Sequence, residues 1–236
     1  MGAGLFKAAQ FRIAGDSGLL VEYGDSIHPD VNHKVRSMSI ILETERIHGI
    51  KEIIPTYRSI LVVYNPLIIT PLSLKCRLSD LENRLSEIEI PPPKRIEIPV
   101  YYGGSFGPDI GFVATTHSLS EEEVIRIHSQ PDYLIYMVGF TPGFPFLGGL
   151  PDILHTPRLE TPRIQVPAGS VGIANAQTGI YPVTSPGGWR LIGRTPLRLF
   201  DKNRKDPILY KAGDRIRFKP ISESEYQRLA VEQKNL

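Results

Sequence analysis

The segment from Gly139 to Pro196 constrains the fold of this 236-residue chain more than any other. Of its 58 residues, 10 are glycine and 9 are proline, whereas the remaining 178 residues contain 23 of the two together. Proline fixes φ and removes a backbone donor, and glycine reaches positive φ without strain. Because aromatic and β-branched residues lie between them, this composition predicts short strands joined by rigid, tightly turned loops. We therefore expect the functional surface to lie in this segment.

The overall composition is that of an ordinary globular protein, with 41% apolar and 22% charged residues and a net charge of +2. So small a charge gives no electrostatic reason to expect a nucleic-acid or membrane partner. The lone cysteine, Cys76, forms no metal-ligand cluster, and we expect a partly buried structural thiol beside the apolar stripe of its helix. The sequence shows no apolar run of membrane-spanning length and no signal peptide, so a cytoplasmic location is expected.

Residues 1–90 are predicted to form an α+β domain in which two helices pack on a small sheet. Pro29 opens the first helix, which has apolar residues at helical spacing. The second helix has leucines at spacings of three and four and is expected to reach Ile88. Three consecutive prolines, residues 91–93, then end the domain. The four predicted strands span residues 11–14, 19–23, 50–55 and 59–64.

Residues 91–236 are predicted to be mainly β. Many short strands separated by turn signals favour a closed barrel or a sandwich. Ser120 and Glu123 form the capping box of a short helix that runs to about His128, and residues 222–233 predict a terminal helix. The most distinct strands are expected at residues 95–101, 132–140 and 215–219.

The sequence lacks the short motifs of several enzyme classes. It contains no phosphate-binding loop, no dinucleotide-binding Gly-x-Gly-x-x-Gly, no His-Glu-x-x-His and no Gly-x-Ser-x-Gly elbow. The glycines of Gly103–Asp109 come with no lysine and no following helix of the type that binds phosphate. No metal site is therefore predicted, and no familiar nucleotide motif is present in this chain.

Two arginines are candidates for carboxylate recognition. Arg158 and Arg163 each follow a Thr-Pro pair, and the fixed prolines would hold each guanidinium ready for a bidentate contact. Arg163 is also a candidate catalytic residue. The alternative is that both arginines are barrel-rim residues paired to Asp152 or Glu160.

Other candidate binding residues are polar or aromatic. Gln177, Thr178 and Tyr181 surround one turn and are able to orient a small polar ligand, or alternatively to satisfy nearby backbone groups. Thr141 lies in a rigid turn between aromatic residues, and Trp189 is predicted to be a pocket wall or a partner anchor.

Three phenylalanines flank that turn. Phe144 and Phe146 are candidates for the wall of an apolar pocket or for the barrel core, and for Phe140 we expect the core.

Histidine is the natural general base near neutral pH, and the second domain contains His117, His128 and His155. Only His128 is retained as a catalytic candidate. Because the sequence shows no nucleophile or orienting acid for any of them, a structural role is favoured.

Six segments are similar, in order and spacing, to those of one family. They are Gly15–Ser17, Tyr102–Asp109, Gly139–Leu147, Val166–Ala174, Gln177–Pro182 and Ser185–Pro196. The chain resembles the KipI family, also described as the 5-oxoprolinase B-subunit family or as allophanate hydrolase subunit 1. The resemblance covers nearly the whole chain and is most specific in the second domain.

The resemblance implies a cyclophilin-like β-barrel after the N-terminal domain. It implies the B component of an ATP-dependent 5-oxoprolinase, which hydrolyses 5-oxoproline to glutamate and is inactive as an isolated chain. The implied partners are a paired cyclophilin-like subunit, of the KipA or 5-oxoprolinase C-subunit type, and a lactam-utilisation subunit, with ATP acting at the level of the complex. The alternative is a KipI-type inhibitor of the autophosphorylation of a sensor histidine kinase.

Overall fold

The computed structural model describes residues 4–234, and the chain divides into two compact units between Pro92 and Pro93. The first unit is an antiparallel sheet of four strands in the order β1-β2-β4-β3, with two helices. Val31, Val35, Leu74 and Leu78 lie on the helix faces buried in its core. The elements are β1 (Leu5–Ala14), β2 (Gly18–Gly24), α1 (Pro29–Glu45), β3 (Ile50–Pro55), β4 (Ser59–Tyr64) and α2 (Pro71–Glu82).

Both helices of the first unit begin where the sequence offers a cap followed by proline. The Thr70 hydroxyl accepts a hydrogen bond from Ser73 N at 3.2 Å, and Pro71 is the first residue of α2. At α1 the His28 side chain accepts from Asp30 N, and Pro29 comes next. Proline suits this position because its missing N–H would have no helical partner there.

The prediction of one helix reaching Ile88 was wrong. α2 ends at Glu82, and a separate 3₁₀ turn follows at Leu85–Glu87. Asn83 forms the C-cap between the two, and asparagine is a poor residue for a helix interior because its side chain competes for backbone hydrogen bonds. Leu85 is still buried in the same core, so the periodicity identified a buried residue without identifying the helix end.

The second unit is a closed barrel of seven strands in the order β10-β7-β6-β13-β5-β12-β9, with β8 and β11 forming a separate two-stranded ribbon. β13 is parallel to β5, and the other strand pairs of the barrel are antiparallel. The predicted fold class, an α+β unit followed by a mainly-β barrel, is confirmed. The strands are β5 (Arg95–Tyr102), β6 (Tyr133–Val138), β7 (Pro145–Gly148), β8 (Arg163–Val166), β9 (Ser170–Ala174), β10 (Gln177–Ile180), β11 (Ser185–Gly187), β12 (Arg190–Arg194) and β13 (Arg215–Pro220).

Three helices accompany the barrel: α3 (Ile110–Thr116), α4 (Glu121–Ser129) and α5 (Glu223–Lys234). The capping box of α4 is confirmed, since Ser120 N donates to the Glu123 carboxylate at 2.8 Å and Glu123 N donates to the Ser120 hydroxyl at 3.2 Å. α3 was not predicted from the sequence, because it has only seven residues and no side-chain cap.

The turn that follows β5 packs directly against β12. Gly103 N donates to Ile192 O at 3.0 Å, and Gly107 N donates to Gly103 O at 2.8 Å. A Cβ added at Gly107 would lie 2.1 Å from Ile192 O, a separation that no side chain tolerates. Glycine is therefore required at this position by the close approach of two backbones.

We predict that Gly107→Ala lowers the free energy of unfolding by about 2 kcal/mol, because the turn must separate from β12 to make room for the methyl group. The matched control is Gly111→Ala in α3, where the added Cβ meets only the end of the Glu121 side chain. Urea unfolding of both variants measures the difference. Equal stabilities would contradict the close-approach argument.

Candidate functional site

A cavity of about 460 Å³ lies in the second unit, and every residue that lines it belongs to the Gly/Pro-rich segment. Cavities of this size bind small organic molecules. Proline and glycine supply the rigid turns, and aromatic side chains supply most of the wall. The lining residues are Phe140, Phe144, Phe146, Arg158, Leu159, Pro162, Tyr181, Pro186, Gly187, Gly188 and Trp189.

Three buried aromatic rings form the floor of the cavity. Phe144 meets Tyr181 at a ring-centroid distance of 5.2 Å and Trp189 at 5.3 Å, both edge to face. Edge-to-face contacts of this kind fix ring orientation and stabilise the pair beyond the area buried. Trp189 lines the cavity and is only 5% exposed, which favours a pocket wall over a partner anchor.

Tyr181 is the ionisable residue of the floor. Burial raises the pKa of its phenol, while the backbone N–H of Trp189 and the charges of Arg158 and Arg163 act in the opposite direction. The phenol therefore stays protonated at neutral pH. Tyr181 therefore contributes a neutral phenol to the residues that line the cavity.

Arg158 is the one basic residue among those that line the cavity, and it is exposed at the rim. Within residues 4–234 no carboxylate pairs with it, so the alternative pairing of Arg158 to Asp152 or Glu160 is not formed. Its positive charge remains available to an anionic ligand.

Arg163 forms an ion pair with Asp109 and does not line the cavity. Its Nη2 donates to both oxygens of Asp109, at 2.8 and 2.9 Å, and its Nη1 donates to Trp189 O at 3.3 Å. Asp109 also accepts from Leu191 N at 2.6 Å. No local sequence pattern indicates this role of Asp109, because its partners lie 54 and 82 residues away along the chain.

The remaining polar candidates lie outside the lining of the cavity. Thr178 is fully buried and its hydroxyl donates to Gly172 O at 3.0 Å. Gln177 begins β10 and pairs with Ala174 across the hairpin. Thr141 lies in the turn before Phe144, and its amide donates to Gly139 O.

Two predictions of burial were wrong. Phe140 was expected in the core, but β6 ends at Val138 and 66% of Phe140 is exposed. Cys76 was expected to be partly buried and is exposed. The buried face of α2 contains Leu74, and two residues along a helix correspond to a rotation of about 200° away from that face.

His128 is fully buried, and each of its ring nitrogens lies within hydrogen-bond distance of a hydroxyl group. Its Nδ1 lies 2.8 Å from the Tyr102 hydroxyl and its Nε2 lies 2.8 Å from the Thr178 hydroxyl, while the ring stacks on Phe218. Because the Thr178 proton is donated to the carbonyl of Gly172, Nε2 carries the histidine proton and Nδ1 accepts from Tyr102. Burial lowers the pKa of His128 to about 3, so the ring is neutral.

The other two histidines also have structural partners. His117 Nε2 donates to the Thr156 hydroxyl at 3.0 Å, because that hydroxyl donates in turn to Leu154 O. His155 Nε2 lies 3.1 Å from Leu150 O. The structural role that the sequence analysis favoured for all three histidines agrees with these contacts.

Residues 4–234 contain no group of three or more histidine, cysteine, aspartate or glutamate residues arranged to hold a metal ion. Among the helices of that range, none has the length and apolar character needed to cross a bilayer.

Comparison with known proteins identifies a family. Residues 9–210 match the family described as carboxyltransferase domain, subdomain C and D. Over 229 residues, the chain is 44% identical to the 5-oxoprolinase B subunit of Bacillus subtilis, covering 92% of this chain and 95% of that protein.

Solved structures show the same fold. A conserved uncharacterized protein from Pyrococcus horikoshii is 46% identical, with a TM-score of 0.55 over 92% of this chain and all of that one. The urea carboxylase of Kluyveromyces lactis is 23% identical, with a TM-score of 0.78 over 96% of this chain and 23% of that protein. At that identity the second match supports the fold alone.

The pKa of His128 leads to a prediction about acid stability. The unfolded ring takes up a proton near pH 6.5, but the folded ring does so only near pH 3. Titration of His128 therefore leaves the free energy of unfolding unchanged above pH 6.5. Below pH 6.5 the free energy of unfolding falls by up to about 1.4 kcal/mol per pH unit, because the unfolded state binds a proton that the folded state does not.

We expect His128→Gln, which retains a donor and an acceptor but does not titrate, to lose stability less steeply than the unsubstituted protein between pH 6.5 and 4. Urea unfolding at successive pH values measures both slopes. Identical slopes would show that His128 is not the buried neutral group described above.

Proposed function

Since the chain belongs to the carboxyltransferase subdomain C and D family and is a relative of 5-oxoprolinase B subunits, we propose that it is the B component of an ATP-dependent 5-oxoprolinase. It is a component of a hydrolase complex. The proposed reaction opens the lactam ring of 5-oxoproline to give glutamate. The observation that carries the proposal is an aromatic cavity with one cation among its lining residues, Arg158, at its rim.

The chemistry of 5-oxoproline matches this cavity. The molecule is a small five-membered ring with one carboxylate, and an arginine guanidinium binds a carboxylate through two parallel hydrogen bonds. We propose that Arg158 binds the carboxylate while the ring lies against Phe144 and Trp189. Tyr181 then donates a hydrogen bond to the lactam carbonyl.

The need for ATP follows from the reaction. A five-membered lactam has little ring strain to release, so its hydrolysis needs a coupled driving force. We propose that ATP supplies it at the level of the complex, through activation of the amide carbonyl. The proposed partners are a cyclophilin-like C subunit and a lactam-utilisation subunit.

The direct test is ATP-dependent release of glutamate from 5-oxoproline by this chain together with its partner subunits, with each omitted in turn. We expect turnover only when this chain is present. An assembled complex without turnover would contradict the proposal, and an assay of histidine-kinase autophosphorylation would then test the inhibitor alternative.

Arg158→Ala is expected to lower kcat/KM for 5-oxoproline about tenfold in the complex, because a charge-assisted pair with the carboxylate is lost. Arg126→Ala, which removes an arginine of α4 outside the cavity, is the matched control. Unchanged kcat/KM in Arg158→Ala would exclude this residue from carboxylate binding.

Arg163→Ala distinguishes the structural role of Arg163 from the proposed binding role of Arg158. It leaves Asp109 without its ion-pair partner, so we expect a lower melting temperature. Any loss of activity in this variant should then recover at lower assay temperature, whereas the loss in Arg158→Ala should not.

A further inference from the structure

Phe140 has a backbone conformation that large L-residues rarely adopt. Its φ is +67°, in the left-handed region that favours glycine. The surrounding turn holds it there: Gly139 N donates to Phe144 O at 3.0 Å, and Phe144 N donates to Thr141 O at 3.0 Å. Among residues 4–234 the other non-glycine residues with positive φ are Arg46, Ser118 and Asn175, none of them aromatic.

The side chain of Phe140 is also placed unfavourably for stability. It is 66% exposed, and its ring meets the buried ring of Phe144 edge to face at 5.6 Å. Glycine at this position would relieve the backbone strain, and a polar residue would remove the exposed apolar surface. Strain kept in place by the surrounding structure points to a functional role.

The position of the ring indicates that role. Phe140 lines the cavity together with Phe144, but it is exposed where Phe144 is buried, so it forms part of the mouth. Arg158 is the charged group exposed on the same cavity. A ligand that enters therefore meets one cation and one exposed aromatic ring.

We propose that Phe140 is a specificity-determining residue that packs against the ring of bound 5-oxoproline and disfavours its open-chain product. The methylene edge of the lactam is apolar and suits an aromatic surface. Glutamate has a second carboxylate, and with the first on Arg158 the second would meet the electron-rich face of Phe140 without a cation. This inference rests on the proposed function and extends it to the discrimination between substrate and product.

The experiment compares three variants in the assembled complex. Phe140→Gly removes the ring and the strain, Phe140→Tyr keeps an aromatic ring, and Ser118→Gly relieves a left-handed residue that follows α3. The measured quantities are KM for 5-oxoproline, kcat, and the inhibition constant of glutamate.

We expect Phe140→Gly to raise KM for 5-oxoproline about fivefold, the loss of one aromatic contact, with kcat retained. The inhibition constant of glutamate should stay the same or fall. The ratio of that constant to KM for 5-oxoproline, which measures the preference for the ring over the open chain, should therefore decrease. Phe140→Tyr should raise KM less than Phe140→Gly does, because it keeps the aromatic ring. Ser118→Gly, which lies outside the cavity lining, should behave like the unsubstituted protein.

The outcomes separate this inference from the proposed function. An active complex in which Phe140→Gly leaves KM within about twofold, or in which Phe140→Tyr is as impaired as Phe140→Gly, overturns the inference alone. An inactive unsubstituted complex overturns the proposed reaction, and the contact is then decided by titrating the full chain with 5-oxoproline.

Trp189 is the single tryptophan and lies in the cavity wall, so its fluorescence reports this titration. Weaker binding by Phe140→Gly than by Phe140→Tyr would support the contact with the ring. Absence of binding by the unsubstituted chain, together with an inactive complex, would overturn both proposals.

Discussion

The candidate site depends on one carboxylate, that of Asp109. The carboxylate accepts hydrogen bonds from Arg163 and from Leu191 N. The backbone N–H of Asp109 donates to Leu191 O at 2.9 Å. Arg163 in turn reaches Trp189 O. The turn after β5, the start of β8 and the start of β12 are thereby joined around one buried charge. Because an unpaired buried carboxylate is costly, these three elements keep their positions together, and Trp189 with them.

The barrel interior and the cavity consist of different sets of side chains. The barrel interior contains apolar side chains and the neutral chain of hydrogen bonds through His128, as in other small barrels whose interior is filled by side chains. The cavity belongs to a second, smaller cluster that includes Phe144, Tyr181 and Trp189. The barrel therefore acts as a rigid support, and the Gly/Pro-rich loops shape the binding surface.

How much of this the sequence predicts depends on the range of the interaction. Helical spacing, caps and turn residues are local, and they predicted both helices of the first unit and the capping box at Ser120. For the second unit they left a closed barrel or a sandwich open, and the barrel was what the family resemblance implied. The composition of residues 139–196 also indicated the right segment, since all lining residues lie within it. Among the individual candidates, Phe144, Arg158, Tyr181 and Trp189 line the cavity, whereas Thr141, Arg163, Gln177 and Thr178 do not. Local sequence patterns do not show which candidates line the cavity, because that depends on tertiary pairings such as the ion pair of Arg163 with Asp109.

The ionisable groups of the cavity lining suggest what this subunit contributes to the reaction. Only Arg158 and Tyr181 ionise among the lining residues, and at neutral pH each has protons to donate. Donors of this kind bind and orient an acid and polarise a carbonyl, but amide hydrolysis also needs an activated carbonyl and an attacking water. In our proposal those groups come from the partner subunits at the open mouth of the cavity. A site built in this way is complete only in the complex, which is why the omission of single subunits is the informative measurement.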